Sequence, residues 1–173
     1  MSTEALRQWV ADRTGLTAIW QHPNAPRPAR PYASLQVTSS ARVGLPYTTP
    51  PATDGAAEVQ AQREVTISIQ VHEAADTADP RAALERAEAL RDSLELPGVR
   101  DSLAANGWAL RDTELLSDTP ELVDTAWEPR ATFDVRFGHT VTQSDDVGLI
   151  ESAEITGTVE SGDASQTETF TTE

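Results

Sequence analysis

The sequence predicts an α+β fold: a mostly antiparallel sheet with helices packed on one face. Three observations predict it. Apolar and polar residues alternate cleanly from Val65 to Val71 and again from Phe133 to Phe137, so one face is covered and the other open. Long helical stripes occur only at the start of the chain and after residue 79. The elements run helix–strand–strand–strand–helix–strand–strand–strand, which is not the regular alternation that builds a parallel α/β sheet. At 173 residues the chain holds one α+β domain, expected over residues 1–160, followed by an acidic, Thr-rich tail over 161–173.

Ser2 or Thr3 caps a first helix with Leu6, Trp9 and Val10 on one face, and Gly15 closes it. Leu16 to Trp20 reads as a short strand. From His22 to Pro31 four prolines permit neither a helix nor a central strand, so an extended crossing is expected there. A second strand runs from about Tyr32 to Val43, with Leu35 and Val37 alternating against polar neighbours. Gly44 to Ala57 reads as a long Pro/Gly/Thr loop, of a length that usually has a function. In the strand that follows, Val65, Ile67, Ile69 and Val71 face inward, while Thr66, Ser68, Gln70 and His72 face out.

Asp79-Pro80 is read as the N-cap and first position of the main helix. Ala83, Leu84, Ala87, Leu90 and Leu94 form its stripe, and Pro97-Gly98 ends it. A short helical turn through Leu103 stops at Asn106-Gly107. Strands are then expected over Trp108–Leu116, Ala131–Val141 and Leu149–Val159, with a turn at Asp145-Asp146 and Gly148. In the tail, Phe170 is the one large apolar residue, so residues 161–173 should not order alone in solution. The Thr residues around Phe170 have strand propensity, which would let the tail add to a neighbour's sheet edge.

Thirteen cations against twenty-eight acids give a formal charge of −15 and a pI near 4.4. Phosphate backbones and anionic lipid surfaces repel such a chain, so neither nucleic acid nor membrane is an expected partner. No run of 18 apolar residues exists, and Met1-Ser2-Thr3-Glu4-Ala5 lacks the basic and apolar regions of a secretory leader. Every cation is Arg. A GC-rich genome alone would produce that. Adaptation to molar salt would produce the acid excess as well, because the Debye length there falls to about 3 Å and an anionic surface stops repelling itself.

Motifs for chemistry are missing. The chain has no cysteine, which excludes disulfides, thiolate catalysis and Cys-zinc sites. No glycine-rich phosphate loop is present, and none of His22, His72 and His139 has a partner at metal-ligand spacing. Asp76 and Asp79 suit a helix start, and Asp145-Asp146 a turn, so these carboxylates have structural readings. Ser39-Ser40 and Thr48-Thr49 lack a nearby base. No catalytic residue, cofactor or metal is therefore assigned, and no enzyme is expected.

The residues suited to an interface are Trp20 and Trp127, each beside a proline segment, and Arg27 and Arg30 in the crossing. Tyr47, Pro50 and Pro51 in the long loop and Phe170 in the tail join them. Ile19-Trp20 followed by Asn24-Ala25-Pro26-Arg27-Pro28-Ala29-Arg30-Pro31-Tyr32 resembles the neck or tail terminator proteins of tailed phages. Leu94-Glu95-Leu96-Pro97, Leu103-Ala104-Ala105-Asn106-Gly107-Trp108, Arg130–Phe137 and Ile155–Val159 follow in the order of that pattern, which spans about residues 1–160. The resemblance implies a structural virion protein in the tail or neck, assembled in the host cytoplasm. It implies a homo-hexameric ring that caps the tail tube and joins it to the head–tail connector. A connector or another tail-completion subunit is the near alternative, and a small hydrolase using acidic residues the alternative of another class. With the salt argument, a halophilic host is expected.

Overall fold

The structure is a computed structural model. It describes residues 2–21, 26–52, 55–77, 79–123, 125–148, 153–161 and 164–172, the last two stretches by their strands alone. The chain forms two compact units, one of Met1–Leu45 with Ala61–Val141 and one of Pro46–Gln60 with Thr142–Glu173.

In the first unit, helix α1 (Thr3–Thr14) starts and stops as its sequence dictates. The Ser2 side chain accepts from the Ala5 N–H, and Gly15, at φ 67°, returns its N–H to the Ala11 carbonyl. Leu6, Trp9 and Val10 are buried. The Trp9 indole N–H donates to Ser93 Oγ at 3.0 Å, and the Ser93 hydroxyl donates in turn to the Leu90 carbonyl, so the buried polar atoms are satisfied.

The main helix differs from its expected ends. Helix α2 spans Ala82–Asp92, a 3-10 turn covers Ser93–Glu95, and α3 spans Pro97–Ala105. Asp79 does not cap the helix itself; its carboxylate accepts from the Arg81 N–H, in the turn just ahead. Pro97 opens α3 instead of merely stopping α2, because a proline at the first helical position sacrifices no hydrogen bond. Asn106-Gly107 does close α3. Gly107 (φ 86°) donates to Ala104 and Trp108 to Leu103, the paired bonds of a Schellman ending.

The sheet orders as β1-β2-β3-β8-β4, with β5 also on β8. These are β1 (Thr17–Trp20), β2 (Tyr32–Thr48), β3 (Ala56–His72), β4 (Ala109–Thr113), β5 (Ser117–Asp118) and β8 (Arg130–Asp146). Between β5 and β8 lies an unforeseen two-stranded ribbon, β6 (Glu121–Val123) with β7 (Ala126–Glu128). The fold is α+β with a mostly antiparallel sheet, as expected; among the described residues β1 runs parallel to its neighbour, Thr17 opposite Tyr32, while β4, β5 and β7 pair antiparallel. Val65, Ile67, Ile69 and Val71 of β3 and Ala131, Phe133, Val135 and Phe137 of β8 are buried in one core with Leu6, Val10, Leu90, Leu94 and Trp108. Each Val, Ile, Leu and Phe among them contributes about 1.5–3 kcal/mol by leaving water. Trp108 also donates its indole N–H to the Ser2 carbonyl at 2.8 Å, joining the chain's start to the end of α3.

The outward face of β3 is not wholly open. His72 is 5% exposed because Tyr32 and Ser34 of β2 cover it, and Ser68 is buried too. The predicted loop from Gly44 to Ala57 is half strand. β2 continues to Thr48 and β3 begins at Ala56, which leaves a short connection. Likewise β8 runs through Asp145-Asp146, and the turn comes later, where Gly148 donates to the Asp146 side chain. The strand expected over Trp108–Leu116 is shorter and is followed by β5.

In the second unit, Thr49 and Glu58 are bonded by backbone and hydroxyl, and Ala52 donates to Ala56. Gly55 sits at φ 82°, where a Cβ would lie 3.1 Å from Gly148 Cα; Val147 donates to the Gly55 carbonyl. β9 (Ala153–Ser161) and β10 (Ala164–Thr172) form an antiparallel hairpin, from Ser161 opposite Ala164 to Ala153 opposite Thr172. Ala164–Thr172, set apart with the tail on composition, thus supply its second strand. The backbone ladder, not apolar burial, provides the pairing that composition could not signal.

Candidate assembly surface

The eight residues expected at an interface do not form one patch. Trp20, at the end of β1, is half-buried and packs against the core. Arg27 is exposed. Arg30 is half-buried and forms an ion pair with Glu128 of β7, next to Trp127. Trp127 itself is 63% exposed and lines a cleft of about 300 Å³ with Pro80, Pro120, Pro129, Ala75 and Asp118. In the second unit Tyr47, Pro50 and Pro51 are all exposed. Phe170 stands opposite Ile155 in the β9–β10 ladder, and its side chain lies outside the described residues.

Sequence reasoning missed the cluster behind Arg30. The His72 ring stacks on Tyr32 with centroids 4.4 Å apart, and its Nε2 is 3.1 Å from Ser34 Oγ. Burial pushes the His72 pKa down to about 4, and the charges of Arg130, Arg30 and Arg27 press in the same direction. Next to it Glu73 is buried and accepts from Arg86 Nε at 2.6 Å, and Arg86 also donates to the Thr14 carbonyl. Arg130 reaches Glu121 and the Thr119 carbonyl, which fastens the β6–β7 ribbon to β8. The contacts of His72 with Tyr32 and Ser34 and of Arg86 with Thr14 join residues 38 to 72 positions apart, beyond the reach of any local pattern. They hold the sheet's end together, and the hydroxyl–imidazole pair among them, Ser34 with His72, is buried at 2% and 5% exposure.

Among the described residues no group of three His, Asp or Glu side chains is placed to hold a metal ion, and no helix is long and apolar enough to cross a membrane. An open groove of about 660 Å³ lies between α1 and α3, lined by Glu4, Gln8, Trp9, Asp12, Val99 and Asn106. Exposed large apolar side chains are instead spread along strands and connections: Val37, Val43, Leu45, Tyr47, Leu115, Leu122, Trp127 and Val147. Such a surface suits protein contacts at several places more than one ligand.

No curated protein matches the chain. A family model described as phage neck terminator protein matches residues 2–163, nearly the whole length. The chain belongs to the phage neck terminator protein family.

Proposed function

We propose that this chain forms a homo-hexameric ring that caps the head-proximal end of the tail tube and joins it to the head–tail connector. Family membership makes it a structural component of the virion's neck or tail; the ring, the capping and the two neighbours are the finer reading. The observation that carries this reading is the match over residues 2–163, and the surface agrees with it. Apolar side chains stay exposed on several elements at once, as a subunit with contacts above, below and on both sides requires. An acidic ring also suits a channel through which DNA passes without sticking.

Native mass spectrometry of the purified chain tests the ring, with six times the 18.7 kDa subunit as the expected mass. A single subunit at every concentration and salt overturns it. With thirteen arginines, no lysine and a charge of −15, we also infer a halophilic host. Assembly should then require molar salt.

A further inference from the structure

The acids of this chain are unevenly spread. From residue 13 to residue 53 there are four cations, Arg13, Arg27, Arg30 and Arg42, and not one Asp or Glu, so all twenty-eight acids fall outside that stretch. In the first unit this stretch builds one border of the sheet, β1 and β2. The opposite border, β4, β5 and the connection between them, carries Asp112, Glu114 and Asp118, all exposed. Arg136 is shared there among Glu64, Asp112 and Glu114; with Arg111 on β4 and Asp118 on β5, two cations stand against four carboxylates and the border stays negative.

Both borders are open. β1 pairs with β2 only over Tyr32–Leu35, and beyond it Gln36–Leu45 is exposed on both faces, with no further strand beside it among the described residues. β4 is likewise the last strand on its side. A long, uncharged edge without proline is the kind that accepts another strand, and Gln36–Ser40 (Gln-Val-Thr-Ser-Ser) is such an edge.

The two edges are level. Thr38 and Ser39 bond to Thr66. Gln62 meets Thr140 and Glu73 meets Pro129, an antiparallel register that sets Thr66 opposite Arg136. Arg136 in turn pairs with Asp112. One row therefore crosses the sheet from Thr38 to Asp112, and β2 and β4 run in opposite directions. Each edge has an exposed apolar residue near that row, Val37 at 49% and Leu115 at 83%.

We propose that copies of this chain join head to tail, the open edge of β2 over Gln36–Ser40 on one copy adding in antiparallel fashion to the outer edge of β4 on the next. The sheet then continues from copy to copy, Val37 covers Leu115 of its neighbour, and the acid-free border faces the acidic one. Charge opposes the pairing of two β4 borders, which sets carboxylate against carboxylate. A contact between unlike surfaces leaves one free edge at each end, so it propagates until the rotation closes. The proposal rests on the ring reading above and names the surface that would build it.

The absence of native cysteine makes the test direct. Full-length Val37→Cys and Leu115→Cys variants are made separately and treated with a short bismaleimide, alone and mixed. A covalent dimer from the mixture and none from either variant alone is the expected result. Thr38→Glu, which places a carboxylate on the acid-free edge, should cut that cross-linking several-fold while leaving thermal melting unchanged. A six-subunit mass without the mixed cross-link, or with Val37→Cys dimers alone, overturns the edge assignment and leaves the ring standing. A single-subunit mass without cross-links overturns both.

Discussion

His72 is a neutral imidazole inside a chain whose surface is acidic, and its environment makes stability depend on pH in a defined window. Its pKa is about 4 when folded, against about 6.5 when unfolded. Below pH 6.5 the unfolded chain takes up a proton that the folded chain refuses, so stability falls as pH falls towards 4. Between pH 7 and pH 5 the loss is about 2 kcal/mol. Chemical denaturation at both pH values should show it, and His72→Gln should remove most of the difference. An equal pH dependence in the two proteins would mean that the imidazole is solvated. The inward residues of β3 were legible from alternation alone. His72 was not, because what buries it is Tyr32, forty positions earlier and on another strand.

Two glycines separate backbone constraint from mere crowding. Gly55 has both a positive φ and backbone atoms of Gly148 where a Cβ would go, so Gly55→Ala should cost about 1–3 kcal/mol. At Gly138 the obstacle is the Arg111 guanidinium, the far end of a flexible side chain that can swing aside. Gly138→Ala should therefore melt within a few degrees of the parent in differential scanning calorimetry. Similar losses at both positions would contradict this account.

At the scale of elements, the connection after β2 is short, and its Pro50-Pro51 is exposed. A stiff segment loses little entropy on docking. Replacing both prolines by Ser should leave the melting temperature nearly unchanged while weakening joining to the tube or head, as measured by virion yield in complementation. Unchanged yield would make the connection a passive one. The sequence showed which elements exist but blurred their ends. Proline marks both a helix start and the residues after a helix, so Pro97 was assigned to the wrong side of the break between α2 and α3. Glycine and proline near residue 44 suggested a loop, yet β2 holds Pro46 because its outer border has no strand partner to lose among the described residues. The candidate interface was legible only as residue types. Strand order, which alone reveals the two open borders, depends on pairings no local pattern encodes.

For the whole molecule, the charge of −15 works against both folding and assembly in dilute salt. Melting in about 0.1 M and about 2 M KCl should differ markedly in favour of the higher salt, since screening then acts within about 3 Å. Equal melting temperatures would make the acid excess a compositional drift and remove the case for a halophilic host.

The central claim is that this neck protein ends the tail tube. Electron microscopy of tail tube protein polymerised in molar salt, with and without this chain, tests it most directly. With the chain present the tubes should stop elongating and carry a six-fold ring at one end. Tubes that keep growing at both ends, with no ring at either, would contradict it.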